Sequence, residues 1–258
     1  MTNHINGEKS QAGSLVAGTL VHTKEGLRPI EEIKVGDYVL SKPENGEGEL
    51  AYKRVTRTYE FDDKEVWYIS FHVMENRRKG MPDLDGDLFV TGDHPFWVES
   101  FDGYAEWGLE AQLENAHLIK SWIKADRLQD GMLLLLTDGR LVKVGFVYKL
   151  IRMQISNLAW FTIDRKHETL EGFVVNFNEI CPKLAKDLIK DVDGNTLLEP
   201  DYSHNYDESD NTNYYFNQGI DWQDYSHNEW FKRKVYNLEV DDFHTYFVAK
   251  QGVWVHAH

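Results

Sequence analysis

Near the start of the sequence a serine directly follows a glycine, Gly13–Ser14 in AGSLVAGTLVHT, and the closing run GVWVHAH carries His256. Between them Thr91 and His94 stand three residues apart in VTGDHPFWV, and His244 stands in VDDFHTYFV. A hydroxyl whose own preceding peptide bond is the target, with histidines to move protons, is what an N-to-O acyl shift requires. In that reaction the Ser14 side chain attacks the Gly13 carbonyl and the leaving group is the chain's own α-amine. A group within hydrogen-bond reach must protonate that nitrogen, and neighbouring donors must hold the amide out of its resonance-stabilised plane. Plainer readings stand beside these. Ser14 is also an ordinary turn serine, Thr91 a β-former, and His94 a core histidine packed beside Pro95, Phe96 and Trp97.

For such residues to meet, the two ends of the ordered chain must be brought together. Short strand-like runs recur between turn residues: GTLVHT (18–23), GDYVLS (36–41), YKRVTRTYEF (52–61), EVWYISFHV (65–73), DLFVTG (87–92) and PFWVES (95–100). KPENGEGE (42–49) and MPDLDGD (81–87) read as turns. The same grammar then returns. RPIEEIKVGDYVLS (28–41) resembles IKADRLQDGMLLLL (123–136), and VTGDHPFWV (90–98) lies on VDDFHTYFV (240–248) without a gap, His94 over His244. Two copies of one strand group in one order predict an all-β fold with internal pseudo-twofold symmetry. The aromatic side chains are expected to fill a flattened core between the two groups.

An insertion of different composition, about 151–233, separates the later strands. LIRMQISNLAWFTI (150–163) and EGFVVNF (171–177) read as strand, and CPKLAKDLIKD (181–191) as a short helix begun near a proline. From Asp191 to Glu229 there are ten acidic residues and no Lys or Arg, a self-repelling stretch that predicts a solvated loop. The first thirteen residues are polar and aperiodic and read as a flexible leader, with order beginning at Ser14.

Composition narrows the function. The 258 residues allow one large domain or two small ones, and 28 Lys and Arg against 43 Asp and Glu give a net charge of −15. That field repels phosphate, so nucleic acid is not an expected partner. The single cysteine, Cys181, excludes an internal disulfide framework and any Cys-rich zinc site. Neither a secretory signal nor a long apolar run is present, so this segment reads as soluble with no membrane partner, any export depending on sequence outside it. No cofactor and no metal are expected. His22, His94, His256 and His258 form the one zinc set weighed, but no HExxH or closely spaced group supports it. DVDGNTLLE (191–199) places its glycine fourth where a calcium loop needs it sixth, and SHNEW (226–230) lacks the second motif of a nuclease site.

The motifs together resemble a known family. SLVAGTLVHTKEGLRPIEEIKVGDYVLS resembles the opening block of a Hint (Hedgehog/intein) domain, TGDHPFWV its TxxH block, and VYNLEVDDFHTYFVAKQGVWVHAH its closing blocks. The likeness is to bacterial intein-like domains of large secreted toxin and adhesin proteins. It implies a compact, horseshoe-like Hint fold over 14–257, with residues 1–13 and His258 as flanking segments. Ser14 then stands where the family carries its nucleophile, usually cysteine. Thr91 and His94 match the pair that grips and protonates the Gly13–Ser14 amide, and His244 and His256 match histidines that assist release at the C-terminal junction. Asn237 occupies a position where splicing members often carry an acidic residue or cysteine.

Two departures qualify that resemblance. A thiol of pKa about 8.5 supplies some thiolate at neutral pH, whereas the Ser14 hydroxyl supplies essentially none, so the first step is slowed. Ala257 stands where the family has an asparagine whose side-chain amide closes a succinimide to free the C-terminal segment. A methyl group cannot do so, and His258 is neither thiol nor hydroxyl, which blocks C-terminal cleavage and splicing. The expectation is an autoprocessing, intein-like monomer from a larger exported bacterial protein, acting on its own flanking segments by N-terminal cleavage at Gly13–Ser14. The alternative is a non-catalytic Hint-fold scaffold within such a protein.

Overall fold

The computed structural model describes residues 13–73, 85–102, 119–165, 169–178, 182–184, 189–190, 196–198 and 228–258. The expected all-β architecture is present. The first strand group comprises β1 (Leu15–Val16), β2 (Leu20–Thr23), β3 (Gly26–Pro29), β4 (Tyr38–Ser41), β5 (Ala51–Glu65), β6 (Trp67–Val73), β7 (Gly86–Val90) and β8 (Pro95–Phe101). The second begins with β9 (Ser121–Lys124), β10 (Met132–Leu135) and β11 (Leu141–Lys149). Next come the insertion strands β12 (Ile151–Arg152), β13 (Leu158–Arg165), β14 (Thr169–Asn176), β15 (Lys183–Leu184), β16 (Ile189–Lys190) and β17 (Thr196–Leu198). The second group closes with β18 (Lys232–Val240), β19 (Thr245–Val248) and β20 (Val253–His256).

The internal repeat seen in the sequence is a repeat of structure. In the first copy β3 leads through a 3-10 turn, Ile30–Glu32, to β4. In the second, β9 leads through a 3-10 turn, Ala125–Arg127, to β10. Each turn is closed in the same way, Ile33 N–H donating to Ile30 O at 3.2 Å and Leu128 N–H to Ala125 O at 3.2 Å. Gly36 (φ 101°) and Gly131 (φ 89°) then occupy matched left-handed positions, which glycine adopts at little cost. Ile30, Ile33, Ala125 and Leu128 are all buried in one core, so each copy plants its turn in the shared interior.

The copies intertwine. The long β5 of the first pairs with β18, while β11 of the second pairs with β6. A 14-stranded sheet results, and it closes on itself because β10 pairs with both β11 and β8. Closure leaves few free edges in a chain whose strands carry many β-branched and aromatic residues. The interior between the copies is mainly aliphatic, with Leu15, Val21, Val55, Ile69, Val90, Leu134, Val240 and Val255 at its centre. Many of the aromatics lie elsewhere, contrary to the expectation from composition. Tyr68, Phe89, Phe161, Phe177 and Phe231 pack the second sheet onto the first, and Trp97, Phe247 and Trp254 form a separate cluster. The reason is geometric: Val and Ile fill the narrow space between closely paired strands, and rings occupy the wider seams.

The insertion departs from expectation at one point. Residues read as a helix instead supply two short strands, Lys183–Leu184 and Ile189–Lys190, within 181–191. Lys183 and Leu184 register with Asn176 and Val175 at the edge of β14, so pairing to an available sheet edge overrides a local helical pattern. Residues 1–12 of the leader, 81–84 of the second turn and nearly all of the acidic run lie outside the described residues.

Candidate functional site

The site is built where β1 enters the sheet. Leu15 registers with Val90 of β7 on one side and Tyr236 of β18 on the other, so this short strand lies between the two copies. The next residues outward are therefore flanked by Thr91, just past β7, and Asn237, within β18. On the first side the Ser14 N–H donates to Thr91 Oγ1 at 2.8 Å, and the Thr91 N–H donates to Ser14 O at 2.9 Å. The Thr91 hydroxyl in turn donates to Asp93 Oδ1 at 2.6 Å, which leaves its oxygen facing the Ser14 amide as an acceptor. On the second side Asn237 Nδ2 donates to Gly13 O at 2.5 Å. One peptide bond is thus gripped at both its nitrogen and its carbonyl oxygen.

Asn237 is itself fixed. Its Oδ1 accepts from the Leu238 N–H at 2.7 Å and from the Tyr246 hydroxyl at 3.0 Å. Two donors on that oxygen identify it as the carbonyl end of the amide and commit Nδ2 to Gly13. Burial holds the Tyr246 phenol far above its ordinary pKa, so it remains a donor at every relevant pH. Ser14 and Asn237 are each 1% exposed and Thr91 6%, so these hydrogen bonds lie out of reach of bulk water.

His94 completes the first side. VTGDHPFWV folds as a strand, a turn closed by His94 N–H to Thr91 O at 3.1 Å, and a second strand opened by Pro95. The second copy's 3-10 turn braces this corner, with Ala125 N–H donating to His94 O and Asp126 N–H to Gly92 O, both at 2.8 Å. The His94 imidazole is 0% exposed, and among the described residues neither ring nitrogen has a hydrogen-bond partner. Burial lowers its pKa from 6.5 to about 4; the nearby Gly13 backbone opposes that shift without reaching hydrogen-bonding geometry. A neutral imidazole keeps one ring nitrogen as an acceptor and the other as an N–H donor, so it can take up a proton. His94 also presses directly on Gly13: a Cβ built on that glycine would lie 1.9 Å from His94 Cα.

The C-terminal segment runs beside the same strand. Ala257 N–H donates to His244 O at 2.8 Å, and His258 N–H donates to Leu238 O at 2.8 Å, one residue from the Asn237 that holds Gly13. His256 Nδ1 lies 2.5 Å from Ala257 O, which requires the proton on Nδ1. Its Nε2 faces Glu44 Oε2 at 3.4 Å, and its ring meets Trp122 edge-on. The His244 imidazole is exposed, and its contact with the C-terminal junction is through its backbone carbonyl. Gly13 and His258 therefore meet adjacent residues of β18, Asn237 and Leu238.

Of the residues singled out in the sequence, Ser14, Thr91 and His94 gather at the Gly13–Ser14 bond, while His244 and His256 meet the Ala257 backbone. Sequence reasoning assigned no part to Asn237, Tyr246 or Asp93. For Asn237 the available signal was its place in VYNLEV, at the position where the resemblance puts an acidic residue or cysteine. The four histidines weighed as a zinc set do not assemble, and among the described residues no cluster of three or more His, Cys, Asp or Glu is disposed to hold a metal. His22 hydrogen-bonds Ala249 O through Nε2, and His258 stacks on Tyr59. Also among the described residues, no helix is long and apolar enough to cross a membrane.

Comparison with known proteins meets the motif-based resemblance independently. Residues 20–107 match the pretoxin HINT domain. Among solved structures, a bacterial intein-like domain from Clostridium thermocellum is 21% identical, covering 96% of this chain and 99% of its own at a TM-score of 0.47. A DnaB intein from Synechocystis sp. PCC 6803 is 10% identical, covering 95% of this chain and 99% of its own at a TM-score of 0.46. No curated protein matches this chain. Over residues 20–107 the chain is thus similar to the pretoxin HINT domain.

Proposed function

We propose that this chain rearranges its own Gly13–Ser14 bond by an N-to-O acyl shift that leads to N-terminal cleavage. The neutral imidazole of His94 takes the proton from Ser14 Oγ as that oxygen bonds to the Gly13 carbonyl carbon. Negative charge then develops on Gly13 O, against Asn237 Nδ2. As the C–N bond breaks, the same proton passes to the Ser14 nitrogen, whose position Thr91 Oγ1 fixes. The product is an ester between the Gly13 acyl group and Ser14 Oγ, with a free α-amine on Ser14. Attack on that ester by water frees residues 1–13.

The observation that carries this reading is the two-ended grip on one buried peptide bond, Thr91 Oγ1 at the nitrogen and Asn237 Nδ2 at the oxygen. A donor aimed at a developing oxyanion in a dry site is worth about 10²–10³ in rate. A positioned acid–base group adds about 10²–10⁴. The low pKa of His94 keeps it neutral at pH 7, and makes its conjugate acid strong enough to deliver the proton promptly.

Cleavage at the C-terminal junction is blocked in this reading, since Ala257 offers no side-chain amide. The hydroxyl at position 14 keeps the N-terminal step slow. Ser14→Cys supplies a better nucleophile and converts the intermediate to a thioester, so dithiothreitol is expected to release residues 1–13 rapidly, read by mass spectrometry. A Ser14→Cys chain that stays intact under that treatment would leave only the scaffold reading standing.

A further inference from the structure

The space on the acyl side of the bond is as specific as the grip on it. Gly13 lies so close to the TxxH corner that an ideal Cβ would sit 1.9 Å from His94 Cα, 2.3 Å from His94 N and 2.6 Å from His94 Cβ. Two of those three atoms are backbone, so no change of rotamer makes room. Nor can the corner retreat. His94 N–H is tied to Thr91 O and His94 O accepts from Ala125 N–H, and Thr91 is bonded at both its N–H and its hydroxyl. On the far side the Gly13 carbonyl is drawn against Asn237, itself pinned by Leu238 and Tyr246.

We propose that this pocket selects glycine at the residue preceding the nucleophile, so the segments it can process are those whose last residue is glycine. The inference deepens the self-cleavage reading and rests on it for the word "process", but the selectivity belongs to the pocket and is measurable without any chemistry. Any L-residue with a Cβ forces the junction off His94. Once displaced, Gly13 O leaves Asn237 and the Ser14 amide leaves Thr91. A misplacement of about 1 Å in a reacting group costs about 10²-fold in rate. The same displacement opens the imidazole to water.

The test compares the full chain with Gly13→Ala by two readouts. First, the His94 imidazole is titrated by NMR. With glycine in place its burial is expected to hold the titration near 4, and with alanine it is expected to move up toward 6.5 as water reaches the ring. Second, hydroxylamine-induced release of the leader is followed by mass spectrometry in the Ser14→Cys background, where alanine is expected to slow it about 100-fold. The thermal transition should persist in Gly13→Ala, because the junction withdraws from the pocket without dismantling the sheet. An unshifted His94 titration with cleavage within about twofold of the glycine chain overturns the selectivity and leaves self-cleavage standing. Loss of the thermal transition also overturns it, by making position 13 a folding requirement. If neither chain is cleaved, the self-cleavage reading falls while the titration still decides whether glycine is selected.

Discussion

The corner at Thr91–His94 and its counterpart at Asp241–His244 occupy matched places but differ in backbone and in chemical situation: the first is closed by His94 N–H to Thr91 O, the second by Phe243 N–H to Asp241 O with Asp242 and His244 at positive φ. Each follows a long-range strand, β7 or β18, and each hands the chain to a buried strand, β8 or β19. Each histidine carbonyl is held by a backbone amide from the other end of its surroundings, Ala125 to His94 and Ala257 to His244. Yet the His94 ring is sealed in the interior, while His244, at φ 53°, turns its ring to solvent. Alongside the backbone, the corners differ in what fills them. The first copy has Gly13 and Ser14 laid across it, which excludes water. A matched position in the sequence therefore acquires its chemistry from its local backbone and its occupant, and alignment of two histidines does not carry reactivity with it.

The largest expected effect breaks the comparison outright. In the Ser14→Cys background, His94→Ala should slow hydroxylamine-induced release of the leader by about 10²–10⁴-fold, whereas His244→Ala should leave it unchanged. Equal losses in both variants, measured by mass spectrometry, would show that burial does not distinguish the two histidines. Asn237→Asp comes next. A carboxylate cannot donate to the developing oxyanion, so the rate should fall by about 10²–10³-fold. Tyr246→Phe leaves the amide in place but removes one of the two donors that orient it. A loss of about 1 kcal/mol, or about fivefold in rate, is expected.

The comparison also has a signature in stability. His94 has a pKa of about 4 in the fold against 6.5 unfolded, so the unfolded chain binds the extra proton first. Its contribution is therefore complete above pH 6.5 and is lost as pH falls through 4, by roughly 3 kcal/mol in all. Denaturant melts across that window should show the loss, and His94→Gln should flatten it. His244→Ala should alter stability by less than about 0.5 kcal/mol at any pH, as for an ordinary surface substitution. A subtler change sharpens the contrast at the other junction. His256 Nδ1 already addresses Ala257 O, so Ala257→Asn should permit slow loss of His258 as succinimide chemistry becomes available. A mass decrease of one histidine residue reads that outcome.

Much of this arrangement is legible in the amino-acid sequence. The strand–turn–strand corners are local, written in Thr91–Pro95 and in the glycines of each repeat, so their order and pairing could be read from spacing. The role of Asn237 could not, nor could the union in His94 of its two separate readings, core histidine and partner of the Gly13–Ser14 bond. Both depend on β1 sliding between β7 and β18, a contact spanning more than 200 residues of chain, for which the sequence offers only the alternation of apolar positions. The helix read at 181–191 failed for a related reason, since the edge of β14 was not visible as a competitor for that segment. Distribution of the aromatics failed because composition says which rings will be buried but not in which seam.

The central claim is that the Gly13–Ser14 bond is held for attack by its own hydroxyl. Hydroxylamine treatment of the unaltered chain, with intact-mass spectrometry over a time course, tests it most directly, because that nucleophile traps an ester and leaves an ordinary amide alone. The account predicts slow release of residues 1–13 as a hydroxamate ending at Gly13, abolished in Ser14→Ala. Release that persists in Ser14→Ala, or a chain that stays whole even after Ser14→Cys, would contradict it.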